Sequence, residues 1–592
     1  ACSAIGCVAT SGTLSSLLFE VTPGISSDTN TTSRFFKRLD AIPFVPTATN
    51  LGSAFKQGTL ALELANPVTV SGSLNAAGCS IAFSDPSGAP IKSSSNGTIP
   101  ARLTFIPSER MWGLAASTVM TTTSLRESGT LADYSFEVSL PAGAYDVYVE
   151  PFPVVDMPAG QPSSCAVLPQ LFRAESLNRS SSLKLALATP KHIDLKLRYA
   201  QSDQDLDGWR VDMIEPVTGR LVSNTVELEL PTRTDGTLVY AVPLDYVPVW
   251  GDDPKLTHGE LVRLSPPKNT DAPTLFFWRE GLEWASPGEG VIDQLSAFPS
   301  AVLLSGSVSS GTVGVPASIT FTANQVNGVP SGLFPSFIRS VETDEEGDFQ
   351  VNLVPGTYKA IAVPRNKQGE RPFALSTTTL TVPAGSPVQA GATLPVGPAF
   401  SLQGNAFTSR GEGAWGAAVN ADVSPSRITT STFERAIGEL PVVPRSASAT
   451  IRDGTGSYQL FTEPGVYDLS VRPPGSSRYA WLVMPGFEPA LGANDTLDIS
   501  FPDLRLPAPL PVELVVNWAG AKAPDPLLIA ASVNAYALVD ESGEPTTDAR
   551  AAVSAVRIAE GRLDTDGHVT LMLPAKLERP PEGFVSVPDS QP

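Results

Sequence analysis

Apolar residues recur at every second position through much of this chain, as in Phe136, Val138 and Leu140 and again in Tyr145, Val147 and Val149. A period of two puts alternate side chains on one face, so these stretches predict half-buried β-strands. Three of them belong to one recurring pattern: residues 132–151 read ADYSFEVSLPAGAYDVYVEP, 343–364 read TDEEGDFQVNLVPGTYKAIAVP and 452–473 read RDGTGSYQLFTEPGVYDLSVRP. Phe136, Gly143, Tyr145 and Pro151 keep the same spacing as Phe349, Gly356, Tyr358 and Pro364, and as Tyr458, Gly465, Tyr467 and Pro473. Pro141-Ala142-Gly143, Pro355-Gly356 and Pro464-Gly465 separate the strands of each copy. Proline presets φ and glycine tolerates positive φ, so the two halves are expected to form a hairpin. Asp344 to Gly347 and Asp453 to Gly456 add a turn ahead of the first strand. Constant spacing of turn and strand predicts an internal repeat.

Strand-like text interrupted by proline recurs at Pro67, Pro190, Pro299, Pro398 and Pro509. Proline cannot donate to a sheet ladder and suits a handover between domains. The breaks predict a short N-terminal β module at 1–66, β-sandwiches at 67–190, 191–300, 301–398 and 399–508, and a partial sandwich at 509–592. A single core rarely exceeds about 250–300 residues, so 592 residues require several domains in any case. Fifty-five prolines and 48 glycines, with only 17% charged residues, fit many short strands joined by turns. The expected class is all-β, a tandem array of Ig-like or transthyretin-like sandwiches.

The pattern T-D-x-x-G-x-F followed by L-x-P-G-x-Y resembles the carboxypeptidase regulatory-like domain, a transthyretin-like seven-stranded sandwich, and more loosely the collagen-adhesin B-type repeats of surface proteins. Residues 302–398 carry it through Thr343, Asp344, Gly347, Phe349, Pro355, Gly356 and Tyr358, and 399–508 carry it with Arg452 in place of the threonine. Segment 67–190 keeps the second half, 191–300 little beyond Thr234-Asp235-Gly236, and the last segment echoes it at Thr565-Asp566-Gly567. The resemblance implies an accessory, scaffolding or adhesive module without an active site of its own. The Lys, Asn and acid set of an adhesin isopeptide bond is not placed here.

Charge and cysteines narrow the setting. A net charge of −20 repels a phosphate backbone, and no basic cluster offsets it, so nucleic acid is not an expected partner. No apolar run reaches the roughly 18 residues of a spanning helix. Four cysteines, Cys2, Cys7, Cys79 and Cys165, form no CxxC pair and suit an oxidising compartment. Pairing of Cys79 with Cys165 is favoured because both fall in one proposed domain. Ala1-Cys2-Ser3 looks like the lipidation site of a bacterial lipoprotein; the alternative is a Cys2–Cys7 disulfide.

Candidate chemistry is sparse. Asp203, Asp205 and Asp207 alternate before Gly208 as in a calcium loop, but Ile214 stands where the last carboxylate belongs, so a solvated turn competes with structural calcium. Gly411-Glu412-Gly413-Ala414-Trp415-Gly416 spells GxGxxG but leads into strand-like text, and reads as a sandwich loop. In LFFWREGLEW, Phe276 and Trp278 read as core, whereas Trp250 and Trp284 stand near turn residues and are candidate sugar or protein contacts. The three histidines lie in different segments, and neither a GxSxG elbow nor a phosphate-binding loop occurs. The expectation is a non-enzymatic, extracytoplasmic scaffold or adhesive protein that binds other envelope proteins, anchored to a bacterial outer membrane through Cys2 or secreted. A surface protein that binds glycans through exposed Trp and Tyr loops is the alternative, and a site of carboxylates from separate strands is a third.

Overall fold

The computed structural model describes residues 17–22, 35–39, 55–56, 59–64, 68–75 and 82–581, apart from 93, 95–96, 108–117, 129–130, 141–142, 157–166, 178, 201–205, 230, 235–236, 250–258, 269, 279–282, 287–288, 296–299, 330–332, 367–369, 386–387, 425–441, 491–495, 519–530, 541–542 and 547–551. The described residues form strands and turns without an α-helix, arranged as successive two-sheet sandwiches.

Strands 302–310 to 388–395 show the plan. In one sheet Val302–Ser310 lies between Asp348–Leu353, antiparallel, and Val388–Pro395, parallel. The facing sheet runs in the order Ile338–Glu342, Ala317–Val326, Gly356–Pro364, Ser376–Val382. Alternation puts Phe349, Val351 and Leu353 inside against Ile319, Phe321 and Tyr358. The same plan recurs from 68 to 186 and from 400 to 505.

The recurring pattern is not a hairpin. Asp348–Leu353 pairs with Val302–Ser310, whereas Gly356–Pro364 pairs with strands of the opposite sheet. The Pro-Gly step therefore carries the chain across the sandwich. The tyrosine closes this corner: Tyr358 Oη donates to the Val354 carbonyl at 2.6 Å, and Tyr467 Oη to the Glu463 carbonyl at 3.0 Å. Both rings are buried. The aromatic of the pattern covers a glycine on the sandwich's first strand, with Phe136 opposite Gly72, Phe349 opposite Gly306 and Tyr458 opposite Gly404. A Cβ on Gly306 would lie 2.2 Å from the Ala392 carbonyl oxygen and 2.8 Å from Phe349 Cζ. Only glycine lets the ring and the outer strand approach so closely. The Asp turn recurs too: Asp344, Asp453 and Asp564 each accept N–H bonds from the residue four ahead, and Gly347, Gly456 and Gly567 take positive φ.

Segments 1–66 and 509–592, read as separate modules, contribute to the same sandwich. Leu17–Thr22 pairs antiparallel with Ser532–Val539, and Thr59–Leu64 pairs parallel with Leu510–Trp518. Leu17, Phe19 and Val21 share a core with Val512, Leu514, Val533, Ala535 and Leu571. The C-terminal strands alone leave part of this core uncovered, and Leu17, Phe19 and Val21 cover it.

In four sandwiches the first and last strands run parallel and side by side: 68–75 with 181–186, 191–200 with 289–295, 302–310 with 388–395, and 400–407 with 498–500; in the composite sandwich 510–518 lies parallel beside 59–64. The chain enters each of those four at one end and leaves from the other. A pull along the chain loads these ladders in shear, so their hydrogen bonds share the load instead of breaking one after another.

Candidate functional site

The chemistry-bearing residues gather at the seams between sandwiches, and arginine occupies each seam whose contacts are described. Between the sandwiches of 67–190 and 191–300, Arg173 reaches Asp146 at 2.7 Å and, across the seam, Glu215 at 2.8 Å. Glu215 is fully buried and also accepts from the Val217 and Thr218 amides. Tyr148 Oη donates to the Leu221 carbonyl, and the Arg220 guanidinium stacks over the Tyr148 ring at 4.7 Å.

At the next seam a short strand changes sides. Phe334–Ser336, from the segment read as 301–398, pairs with Thr274–Trp278 of the preceding sandwich. This explains the aromatic run. Leu275 and Phe277 enter the main core, while Phe276 faces the other way and is buried against Ile214, Leu261 and Phe334. Phe276 and Trp278 therefore serve the seam and not the central core. Arg339 adds contacts to Asp271 and the Thr270 carbonyl, each at 3.2 Å.

The third seam is the most densely bonded. Arg445 donates to Glu463 at 2.7 Å, to the Pro364 carbonyl at 3.0 Å and to the Phe373 carbonyl at 2.8 Å. Glu463, buried, also accepts from the Leu375 amide at 2.9 Å. Arg371 donates to the Ala399 and Leu497 carbonyls and to Asp498. The planar five-donor fork of arginine suits such multiple acceptors, which lysine cannot match.

The fourth seam joins the 399–508 sandwich to the one built from both ends of the sequence. Arg472 pairs with Asp422 and lies over the Trp481 ring at 4.6 Å, and Arg557 approaches the same ring at 5.6 Å. A cavity of about 140 Å³ here is lined by Asp422, Asp468, Arg472, Tyr536 and Arg557. Burial pushes the Asp468 carboxyl up to about 7, and Asp422, directly opposite across the strand pair, adds to the rise.

A raised folded-state pKa means the folded chain holds a proton that the unfolded chain releases. The contribution is fully present below the ordinary carboxyl range and is lost as pH rises toward 7. Melting curves between pH 5 and pH 8 are expected to show this sandwich losing stability as pH rises. Asp468→Asn is expected to flatten that dependence and raise the melting temperature at pH 8; an unchanged slope would contradict the assignment.

The residues singled out from sequence are not brought together. Asp203, Asp205, Trp250 and Cys2, Cys79 and Cys165 fall outside the described residues. Asp207 is exposed in a turn, 3.5 Å from Tyr240 Oη. Trp284 lies in the strand Glu283–Ser286 opposite Gly290, and its side chain is outside the described set. The GxGxxG stretch forms turns between Phe400–Phe407 and Ala418–Val423, with Trp415 71% exposed, an aromatic that sequence reasoning passed over. The seam arginines were missed as well, because each stands alone in sequence. Their only signal is that Lys and Arg together number 40 against 60 acids, so each arginine has carboxylates to choose among.

No family model matches the chain, and no curated protein does. Among solved structures, a streptococcal ancillary pilin aligns at 13% identity over 53% of this chain and 99% of its own, with a TM-score of 0.20. The major pilin subunit of Bacillus cereus aligns at 10% over 56% and 99%, with a TM-score of 0.15. The Bacillus anthracis TIE protein aligns at 10% over 70% and 69%, with a TM-score of 0.16. Scores this low carry no functional assignment.

Proposed function

We propose that this chain is an extracytoplasmic scaffold or adhesive protein, non-enzymatic and built to carry load, that holds other envelope proteins in place. The observation that carries the reading is the repeated polarity of the sandwiches. Four of them pass the chain through a parallel first-to-last ladder, and arginines bonded to carbonyls and carboxylates pin one sandwich to the next. The lipid anchor at Cys2, the Cys79–Cys165 disulfide and structural calcium at Asp203, Asp205 and Asp207 belong to this proposal, as does an outer-membrane location. The native protein, purified from its membrane fraction in mild detergent, is expected to bring an envelope protein in near-equal amount. Recovery alone, without acyl mass on Cys2, would count against it.

Trp415 favours a second reading. A tryptophan left 71% exposed on a glycine-rich loop offers a face on which a sugar ring stacks. In that reading Trp415 joins Trp250 and Trp284 as a contact for surface glycans. A glycan-array signal abolished by Trp415→Ala would establish it, and a blank array would remove it.

A further inference from the structure

One sandwich differs from the rest in how the chain supplies it. In the 301–398 sandwich, Asp348–Leu353 passes through the Pro-Gly corner straight into Gly356–Pro364. The equivalent strands of the composite sandwich, by pairing, are His568–Leu573 and Leu17–Thr22. The corner between them is absent, and four whole sandwiches separate them along the chain. Four strands, 510–518, 532–539, 554–562 and 568–573, thus form an acceptor. Four strands, 17–22, 35–39, 55–56 and 59–64, form its donor.

The acceptor is incomplete without the donor. Leu17, Phe19 and Val21, each at most 1% exposed, fill the core over Val533, Ala535 and Ala537. Glu20, 3% exposed, accepts from Asn534 at 3.0 Å and from Tyr536 Oη at 2.5 Å. Thr59–Leu64 supplies the parallel partner of Leu510–Trp518.

The register of that ladder fixes polarity. Leu64 lies beside Trp518, so the chain departs to the next sandwich at 68 from one end of the composite, whereas Leu510 receives the chain from Arg505 at the other. When one chain supplies both halves, four head-to-tail sandwiches must turn a full circle back to their origin. The links from Leu64 to Val68 and from Arg505 to Leu510 span at most about 3.6 Å per residue. The structure is this closed form, with both links spanned within one chain. A donor from another copy makes the same contacts without any turn, because every junction then keeps the same direction.

We propose that the donor strands 17–64 of one copy complete the acceptor strands 510–573 of a second copy, joining chains head to tail. Such exchange repeats the strand pairing and core contacts of the composite sandwich, which is what makes strand swapping inexpensive, and a heterologous joint that does not close propagates as a fibre. The joint rests on the scaffold reading for its purpose, and it puts the composite sandwich under the same shear as the others.

Two full-length variants test it. Phe19→Asp spoils the donor and leaves the acceptor intact; Val533→Asp spoils the acceptor and leaves the donor intact. Mixed after separate purification, they can form one joint and no more. The expected result by light scattering is a species of twice the 62.1 kDa chain mass, absent from either variant alone. A mixture that stays at the single-chain mass overturns the proposal. The unmodified chain, refolded from denaturant at rising concentration, provides a check free of misfolded variants: masses at whole multiples of the chain support the joint, and a single-chain mass at every concentration overturns it. That failure would leave the scaffold reading standing, since a closed ring can also hold partners. Absence of an envelope partner would in turn leave the joint untouched.

Discussion

Replacing Gly306 by alanine is expected to unfold the 301–398 sandwich at a denaturant concentration well below that of the parent. The added Cβ would lie 2.2 Å from the Ala392 carbonyl oxygen and under 3 Å from the Phe349 ring. One neighbour is backbone of the parallel outer strand and the other is the buried aromatic of the repeat, so relief means displacing either the ladder or the core. Overpacking commonly costs about 1–3 kcal/mol, and here about 3 kcal/mol is expected because a backbone atom is the obstacle. Gly397→Ala is the control: a Cβ there meets nothing within 4 Å, and its cost should stay within about 0.5 kcal/mol. Equal midpoints for the two variants in urea unfolding would show that the ring-over-glycine contact is not what fixes this position.

Arg445→Met is expected to have an effect of similar size by a different route. Methionine keeps much of the apolar stem but removes every donor, leaving the Pro364 and Phe373 carbonyls and the buried Glu463 short of partners. Breaking a buried pair from one side costs about 3–5 kcal/mol. Arg445 is 38% exposed, so about 3 kcal/mol is the appropriate figure. Arg445→Lys should restore little, because one ammonium cannot reach three acceptors in different directions. The loss should appear as separation of two unfolding transitions, one for each neighbour of the seam. A single unchanged transition would mean that the seam couples nothing.

Much of the sandwich plan was legible from periodicity. Phe136 to Leu140 and Asp348 to Leu353 alternate in sequence and bury alternate residues in the fold. What alternation does not encode is which neighbour a strand pairs with. Asp348–Leu353 and Gly356–Pro364 look like a hairpin, yet an arch with the same two residues at its bend leaves the alternation intact. The decisive sign was Tyr358, whose hydroxyl needs the Val354 carbonyl and finds it only in the arched corner.

The composite sandwich was beyond local reading for a plainer reason. Glu20 meets Asn534 across 514 residues of sequence, and neither short-range period nor turn chemistry records such a contact. The absent aromatic-Gly-Tyr pattern near each end was a trace of it, because the corner that the pattern builds does not exist there. The seams were hidden for the same reason as most interfaces. Arg173, Arg371 and Arg445 become distinctive only once the fold brings carbonyls and carboxylates around them.

Load-bearing through parallel ladders is open to direct measurement by single-molecule pulling on the 301–398 sandwich within the full chain. Handles at Ser300 and Pro398 stretch the Val302–Ser310 and Val388–Pro395 pair in shear; handles at Ser300 and Val388 pull the same pair apart from one end. Shear should rupture in one event at a markedly higher force than unzipping, and Gly306→Ala should reduce the difference. Equal rupture forces in the two directions would contradict a scaffold built to carry load along its chain.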